Sequence, residues 1–203
     1  VNATVRPANQ RARILVIRAG GLLLVPALLF LRPVVQGDWH EAIEFAGFGL
    51  ILAAIAGRLW SILYVGSRKN RQLVTSGPYS LTRNPLYVFS TIGAFGFGLI
   101  FGSFLMACLL GLAAYAVLSV TAAREAVYLR SVFGAQYDAY AAATPMFWPN
   151  LSGYRDQDLV EFSPLVLKRT FVDGLFFAAL FPLVELVEMA QADGFLPVLA
   201  SIY

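Results

Sequence analysis

The sequence predicts an all-α, polytopic integral membrane protein of about five transmembrane helices. Three observations predict it. Of 203 residues, 59% are hydrophobic and 13% charged, whereas a soluble domain carries about 45–50% apolar and roughly a quarter charged residues. The apolar residues fall in long runs, several close to the ~20 residues that cross a bilayer core as helix. The alternating ten-residue pattern of a membrane barrel is absent, so the backbone is satisfied within each helix.

The spans are 14–32, 45–65, 86–101, 104–122 and 171–189. Arg11, Arg13 and Arg18 give the first a basic front. Its apolar run is longer than a signal-peptide core, and Arg32-Pro33 follows it rather than a small-x-small cleavage site, so it is read as a retained span. The third is short, and Gly102-Ser103 alone separates it from the fourth; the two form a tight helical hairpin. Gly93, Gly96, Gly98 and Gly102 leave the third span thin on one side and suited to close helix packing.

Orientation follows from the basic residues. Arg6, Arg11, Arg13 and Arg18 precede span one. Arg68, Lys69, Arg71 and Arg83 lie between spans two and three, and Arg124, Arg130, Arg155, Lys168 and Arg169 between four and five. Arg32 stands alone on the other side. The positive-inside rule places the N-terminus in the cytoplasm and the C-terminus outside, in a bacterial inner membrane. The net charge of +3 is therefore a topology signal, not the footprint of nucleic-acid binding.

Two cytoplasmic segments remain, 66–85 and 123–170. A helix is predicted over 124–143, with Glu125, Leu129, Val132 and Phe133 on one face; Gly134 interrupts it and Pro145 and Pro149 end it. Residues 150–163 read as a polar loop. The chain is a single membrane domain made of an N-terminal hairpin (1–65), a core (66–150) and a C-terminal extension (151–203) that offers a docking surface for a membrane partner.

A few residue types narrow the chemistry. One cysteine, Cys108, excludes an intramolecular disulfide and any CxxC site. One histidine, His40, excludes sites that cluster imidazoles, so no metal site is expected, and His40 itself is read as a solvent-side loop residue. Arg58 lies inside span two, where an arginine costs about 2.5–3.5 kcal/mol at the bilayer centre. It either snorkels to the interface or lines a polar cavity facing an anionic group. Glu185 and Glu188 read as a solvated rim at the outer end of span five.

The most informative segment runs Leu73-Val74-Thr75-Ser76-Gly77-Pro78-Tyr79-Ser80-Leu81-Thr82-Arg83-Asn84-Pro85-Leu86-Tyr87. Gly77-Pro78 signals a turn, and Asn84-Pro85 signals a helix start with Asn84 as N-cap. By itself this is a good loop-to-helix junction. After the hairpin comes a second pattern: Glu125, Leu129, Phe133-Gly134, Tyr137 and Tyr140. The two together, in order, resemble the isoprenylcysteine carboxyl methyltransferase family and its relatives, the membrane phospholipid methyltransferases. That family carries L-V-x-x-G-x-Y-x-x-x-R-H-P-x-Y, a hairpin, then E-x-x-x-L-x-x-x-F-G-x-x-Y-x-x-Y.

The resemblance implies S-adenosylmethionine bound at the cytoplasmic face and methyl transfer to a lipid-like acceptor. It carries the cofactor contacts onto Leu73, Val74, Tyr79, Asn84, Pro85, Leu86, Tyr87 and Glu125. A sulfonium and an α-amine suit a carboxylate and aromatic faces; free N–H groups at the start of span three suit the cofactor's carboxylate. Glu125 has a plainer reading, as an acid in the first turn of a helix. Asn84 stands where the family has histidine; asparagine keeps a hydrogen bond but shuttles no proton. A carboxylate or thiolate acceptor is therefore favoured, entering between spans two, three and four with Arg58 at its charged group. Two other readings stand beside this one: a catalytically idle membrane subunit, and an NADPH-dependent reductase of the sterol reductase type.

Overall fold

The computed structural model describes residues 26, 29–33, 37–66 and 72–202. Most of the first expected span lies outside the described residues, as do Arg6, Arg11, Arg13, Arg18, Arg68, Lys69 and Arg71. Among the described residues, seven α-helices follow a short strand: α1 (Asp38–Val65), α2 (Pro78–Leu81), α3 (Pro85–Ile100), α4 (Phe104–Phe133), α5 (Ala135–Ala143), α6 (Pro164–Ala178) and α7 (Leu180–Ala192). Among the described residues, Asp38–Val65, Phe104–Phe133 and Pro164–Ala192 are long and apolar enough to cross a membrane, and Pro85–Ile100 is a shorter apolar helix. The four expected spans from 45 onward thus all fall on helices. The chain is an all-α integral membrane protein.

α1 starts at Asp38 rather than at 45, with Asp38 and Glu41 in its first turn, where acids suit the positive end of the helix dipole. His40 is therefore not a loop residue. It lies on α1, and its ring hydrogen-bonds Glu188 on α7 at 3.2 Å, so Glu188 is not simply a solvated rim. α3 opens with Pro85 at its first position, where the missing N–H costs nothing. Asn84 makes no side-chain cap there, contrary to the sequence reading; its amide is used elsewhere.

The hairpin turns at Gly102, whose φ of 65° suits glycine. Ser103 then caps α4 by accepting a bond from the Met106 N–H at 3.1 Å. α4 runs 30 residues without a break, roughly 45 Å at 1.5 Å per residue. The helix expected over 124–143 is the last third of α4 followed, after the expected interruption at Gly134, by α5; its first part is not separate from the fourth span. Leaving the bilayer and leaving the helix are different events: 122–126 is built from good helix formers, no Gly or Pro interrupts the stretch to Phe133, and Gly134, at φ 53°, ends it. The last span is broken at Ala179 into α6 and α7. Pro182 accounts for the break, because its ring opposes the carbonyl of Ala178 four residues back.

α1 and α3 cross in backbone contact. A Cβ on Gly47 would sit 2.6 Å from the Gly96 carbonyl oxygen, and one on Gly96 would sit 2.8 Å from that of Gly47. Gly98 meets Ala107 across the hairpin in the same way. α6 packs on α1 through Gly174 and Ile55, and Ile51, Ile100, Phe101 and Val184 form the central apolar cluster. Leu105, Leu109 and Leu112 of α4 and Phe176 of α6 are exposed, as lipid-facing side chains are. At the end where α1 begins, β1 (Leu31–Pro33) pairs in parallel with β2 (Ala200–Ile202). Gln191 anchors α7 to this end by donating to the Leu29 carbonyl at 3.1 Å.

The crossing makes a stability prediction. Gly47→Ala forces two backbones apart and is expected to cost about 1–3 kcal/mol, seen as a lower melting temperature in detergent. Gly49→Ala, whose Cβ meets nothing within 4 Å, is expected not to lower it. Equal melting of the two variants would contradict the contact.

Candidate functional site

The segment 72–84 is short on regular structure and is held by another part of the chain. The Gly77 N–H donates to the Arg155 carbonyl at 2.7 Å, the Arg83 N–H to Pro145 at 2.9 Å, and the Asn150 N–H to Leu81 at 2.9 Å. Side chains complete the clasp. Thr82 Oγ1 donates to the Phe147 carbonyl at 2.8 Å, Ser80 Oγ accepts from the Arg155 N–H at 2.9 Å, and Asn84 Nδ2 donates to Met146 at 2.8 Å. Buried polar backbone is thereby paired, as it must be in a site next to lipid. Asn84 thus holds the segment that follows α5.

The clasp frames a cavity of about 190 Å³ between the C-terminal end of α1, the start of α3 and the far end of α4. Leu73, Val74, Tyr79, Asn84, Pro85, Leu86, Tyr87 and Glu125 all line it. These are the eight positions that the two sequence motifs marked, and the fold brings them together. Tyr87 Oη donates to Glu125 Oε2 at 2.8 Å across 38 residues of chain. Glu125 is not in a first turn: it lies 21 residues past Phe104, the first residue of α4, so the dipole reading of this carboxylate does not hold.

Tyr79 is buried, and burial pushes its phenol pKa up, with Tyr140, Glu125 and Tyr87 adding to the effect. Burial raises Tyr140 as well. Both hydroxyls therefore stay protonated, and Tyr140 Oη donates to the Tyr79 carbonyl at 2.7 Å. Further wall residues, Arg83, Leu129, Tyr140 and Val166 among them, were not assigned as cofactor contacts from sequence. The first three lie within the motifs and could have been found there. Val166, on α6, carries no local signal. Arg83 donates from its terminal nitrogen to Tyr137 Oη at 3.2 Å, while its Nε is buried without a hydrogen-bond partner. A buried guanidinium N–H left open is costly and suits an anionic group in the cavity.

Arg58 is not a wall of this cavity. It donates to Ser90 Oγ on α3, one helical turn past Tyr87, and among the described residues the charged group acting on it is Asp173 of α6.

A family model described as phospholipid methyltransferase matches residues 42–136, from α1 into α5. The nickel-cobalt-cadmium resistance protein NccN of Alcaligenes xylosoxydans xylosoxydans is 35% identical over 147 residues, 72% of this chain and 68% of that protein. The cobalt-zinc-cadmium resistance protein CzcN of Cupriavidus metallidurans is 35% identical over 188 residues, 92% of this chain and 86% of its own length. The protein-S-isoprenylcysteine O-methyltransferase of Schizosaccharomyces pombe is 34% identical over 91 residues, 44% of this chain and 39% of that enzyme. No solved structure gives a significant match. With both motifs on one cavity and relatives matched over most of their length, this chain belongs to the phospholipid methyltransferase family of membrane proteins.

Proposed function

We propose that the chain transfers a methyl group from S-adenosylmethionine to a lipid-like acceptor, a carboxylate or thiolate, at the cytoplasmic face of a bacterial inner membrane. The observation that carries this reading is the meeting of the two distant motifs in one cavity, joined by Tyr87 and Glu125. The donor set fits the cofactor. Glu125 and the faces of Tyr79 and Tyr87 suit its two cationic groups, and the open Nε of Arg83 suits its carboxylate. S-adenosylmethionine supplies an electrophilic methyl carbon.

The chain's own residues bind, orient and exclude water. Tyr87 fixes Glu125, and Tyr140 fixes the short helix α2 that carries Tyr79. In-line displacement needs the acceptor about 3–3.5 Å from the methyl carbon and dehydrated. A carboxylate acceptor is ionised at neutral pH, so the absence of a histidine at position 84 removes nothing this reaction requires. Arg58, one turn deeper into the bilayer than the cavity, is the residue we assign to the acceptor's charged group.

Calorimetric titration of the detergent-purified chain tests the reading. S-adenosylmethionine and S-adenosylhomocysteine are expected to bind and NADPH is not. Binding of NADPH alone would replace it with the reductase reading. A second reading is favoured by the relatives, two of which are named for resistance to nickel, cobalt, zinc or cadmium: the chain serves divalent-metal resistance as a membrane subunit without turnover. Failure to bind any of the three ligands would favour that subunit. Orientation is tested by cysteine labelling in a Cys108→Ser background. Ser152→Cys, exposed beside the clasp, and Ser201→Cys, on β2, are expected to be modified from opposite sides; labelling of both from one side would overturn the topology.

A further inference from the structure

A second polar cluster lies at the other end of α1. His40 and Glu44 stand one turn apart on that helix, and Glu188 reaches them from α7. His40 Nε2 is 3.2 Å from Glu44 Oε1 and 3.2 Å from Glu188 Oε2. One donor atom from each of the three lies within 4.8 Å of the others. Glu44 is 4% exposed, and its Oε1 is buried without a hydrogen-bond partner. An imidazole nitrogen carries one proton; given to Glu188, it leaves none for Glu44.

Charge points the same way. A protonated His40 would balance one of two carboxylates. Among the described residues, the other charged groups acting on Glu44 are Glu185 and Glu41, both acids. A divalent cation on a neutral imidazole balances both carboxylates, and a buried charge left unbalanced is expensive. Geometry agrees. Donors held at 2.0–2.2 Å around a tetrahedral ion stand about 3.3–3.6 Å apart, close to the two 3.2 Å separations from His40 Nε2, and the two carboxylates lie within 4.8 Å of each other. The side chains of His40 and Glu188 are 14% and 24% exposed, which leaves the cluster open to an ion from solvent.

We propose that His40, Glu44 and Glu188 bind one divalent first-row transition cation, of the zinc, cobalt or nickel kind. One imidazole nitrogen with two carboxylate oxygens suits these ions; magnesium and calcium prefer oxygen alone. His40 and the cavity residue Ile62 are 22 residues apart on one helix, roughly 33 Å, so the ion takes no part in chemistry at the cavity. The proposal therefore goes beyond the methyl-transfer reading and does not depend on it. The ion ties α1 to α7, and its binding is expected to raise the melting temperature.

The full chain, purified in detergent without a polyhistidine tag and stripped with chelator, is titrated with CoCl₂ and with ZnCl₂. Calorimetry is expected to show one ion per chain, with Co²⁺ giving visible ligand-field bands and excess Mg²⁺ failing to compete. Glu44→Gln and Glu188→Gln keep side-chain shape and are each expected to weaken binding at least tenfold. Their metal-free helicity and melting temperature confirm that they fold. His40→Ala is expected to remove the ion and leave S-adenosylmethionine affinity unchanged. No uptake by the unmodified chain, or uptake undiminished in both glutamine variants, would overturn the proposal and leave the cluster as an imidazolium between two carboxylates.

Discussion

Glu125→Ala is expected to lower S-adenosylmethionine affinity by roughly 10–150-fold, the loss of a charge-assisted contact of about 1.5–3 kcal/mol. Two features make the carboxylate matter. It stands in a cavity wall rather than at a helix start, and Tyr87 holds one of its oxygens at 2.8 Å, so no ordering is left for the cofactor to impose. Tyr79→Ala is expected to weaken binding as well, through loss of a buried aromatic face. Fluorescence or calorimetric titration reads both. Unchanged affinity in the Glu125 variant would show that its role ends at Tyr87.

Arg58→Leu is expected to reduce turnover about 10–100-fold while cofactor affinity stays within about twofold, because a contact made to the acceptor does not hold the cofactor. The structure gives this residue its position: off the cavity wall, bonded to Ser90, with Asp173 as its charged neighbour. The acceptor would then approach from the α1, α3 and α6 side, not past α4 as the sequence suggested. Single-turnover methyl transfer beside equilibrium binding separates the two effects. Equal loss of both would mark a folding defect or a cofactor contact, and loss of neither a side chain that only reaches for the interface.

What was legible in the sequence was what lies close together along it. Apolar runs marked the helices because the bilayer imposes length and composition at once. Leu73 to Tyr87 and Glu125 to Tyr140 marked the cavity because each motif is local and only a hairpin separates them. The exit of α4 from the membrane was misread as a helix end at Arg124-Glu125, where polarity changes but helix propensity does not. Pro182 marked the break between α6 and α7, yet the apolar run hides it. His40 was judged by counting imidazoles, and its carboxylate partner Glu188 is 148 residues away. No local pattern connects two helix ends that meet only after packing. Val166 is silent for the same reason: an ordinary apolar residue becomes a wall when α6 is set against α1.

The clasp between 72–84 and 144–155 has a consequence for biosynthesis. The hairpin of α3 and α4 can be inserted into the membrane as soon as it leaves the ribosome, since its close contacts are with itself and with α1, which is made before it. The cavity cannot be complete then. Its floor is stapled by carbonyls of Pro145 to Phe147 and Arg155, and one wall waits for Val166. A nascent chain stopped after α5 holds both motifs and no finished cavity, so the cavity is completed only late in translation.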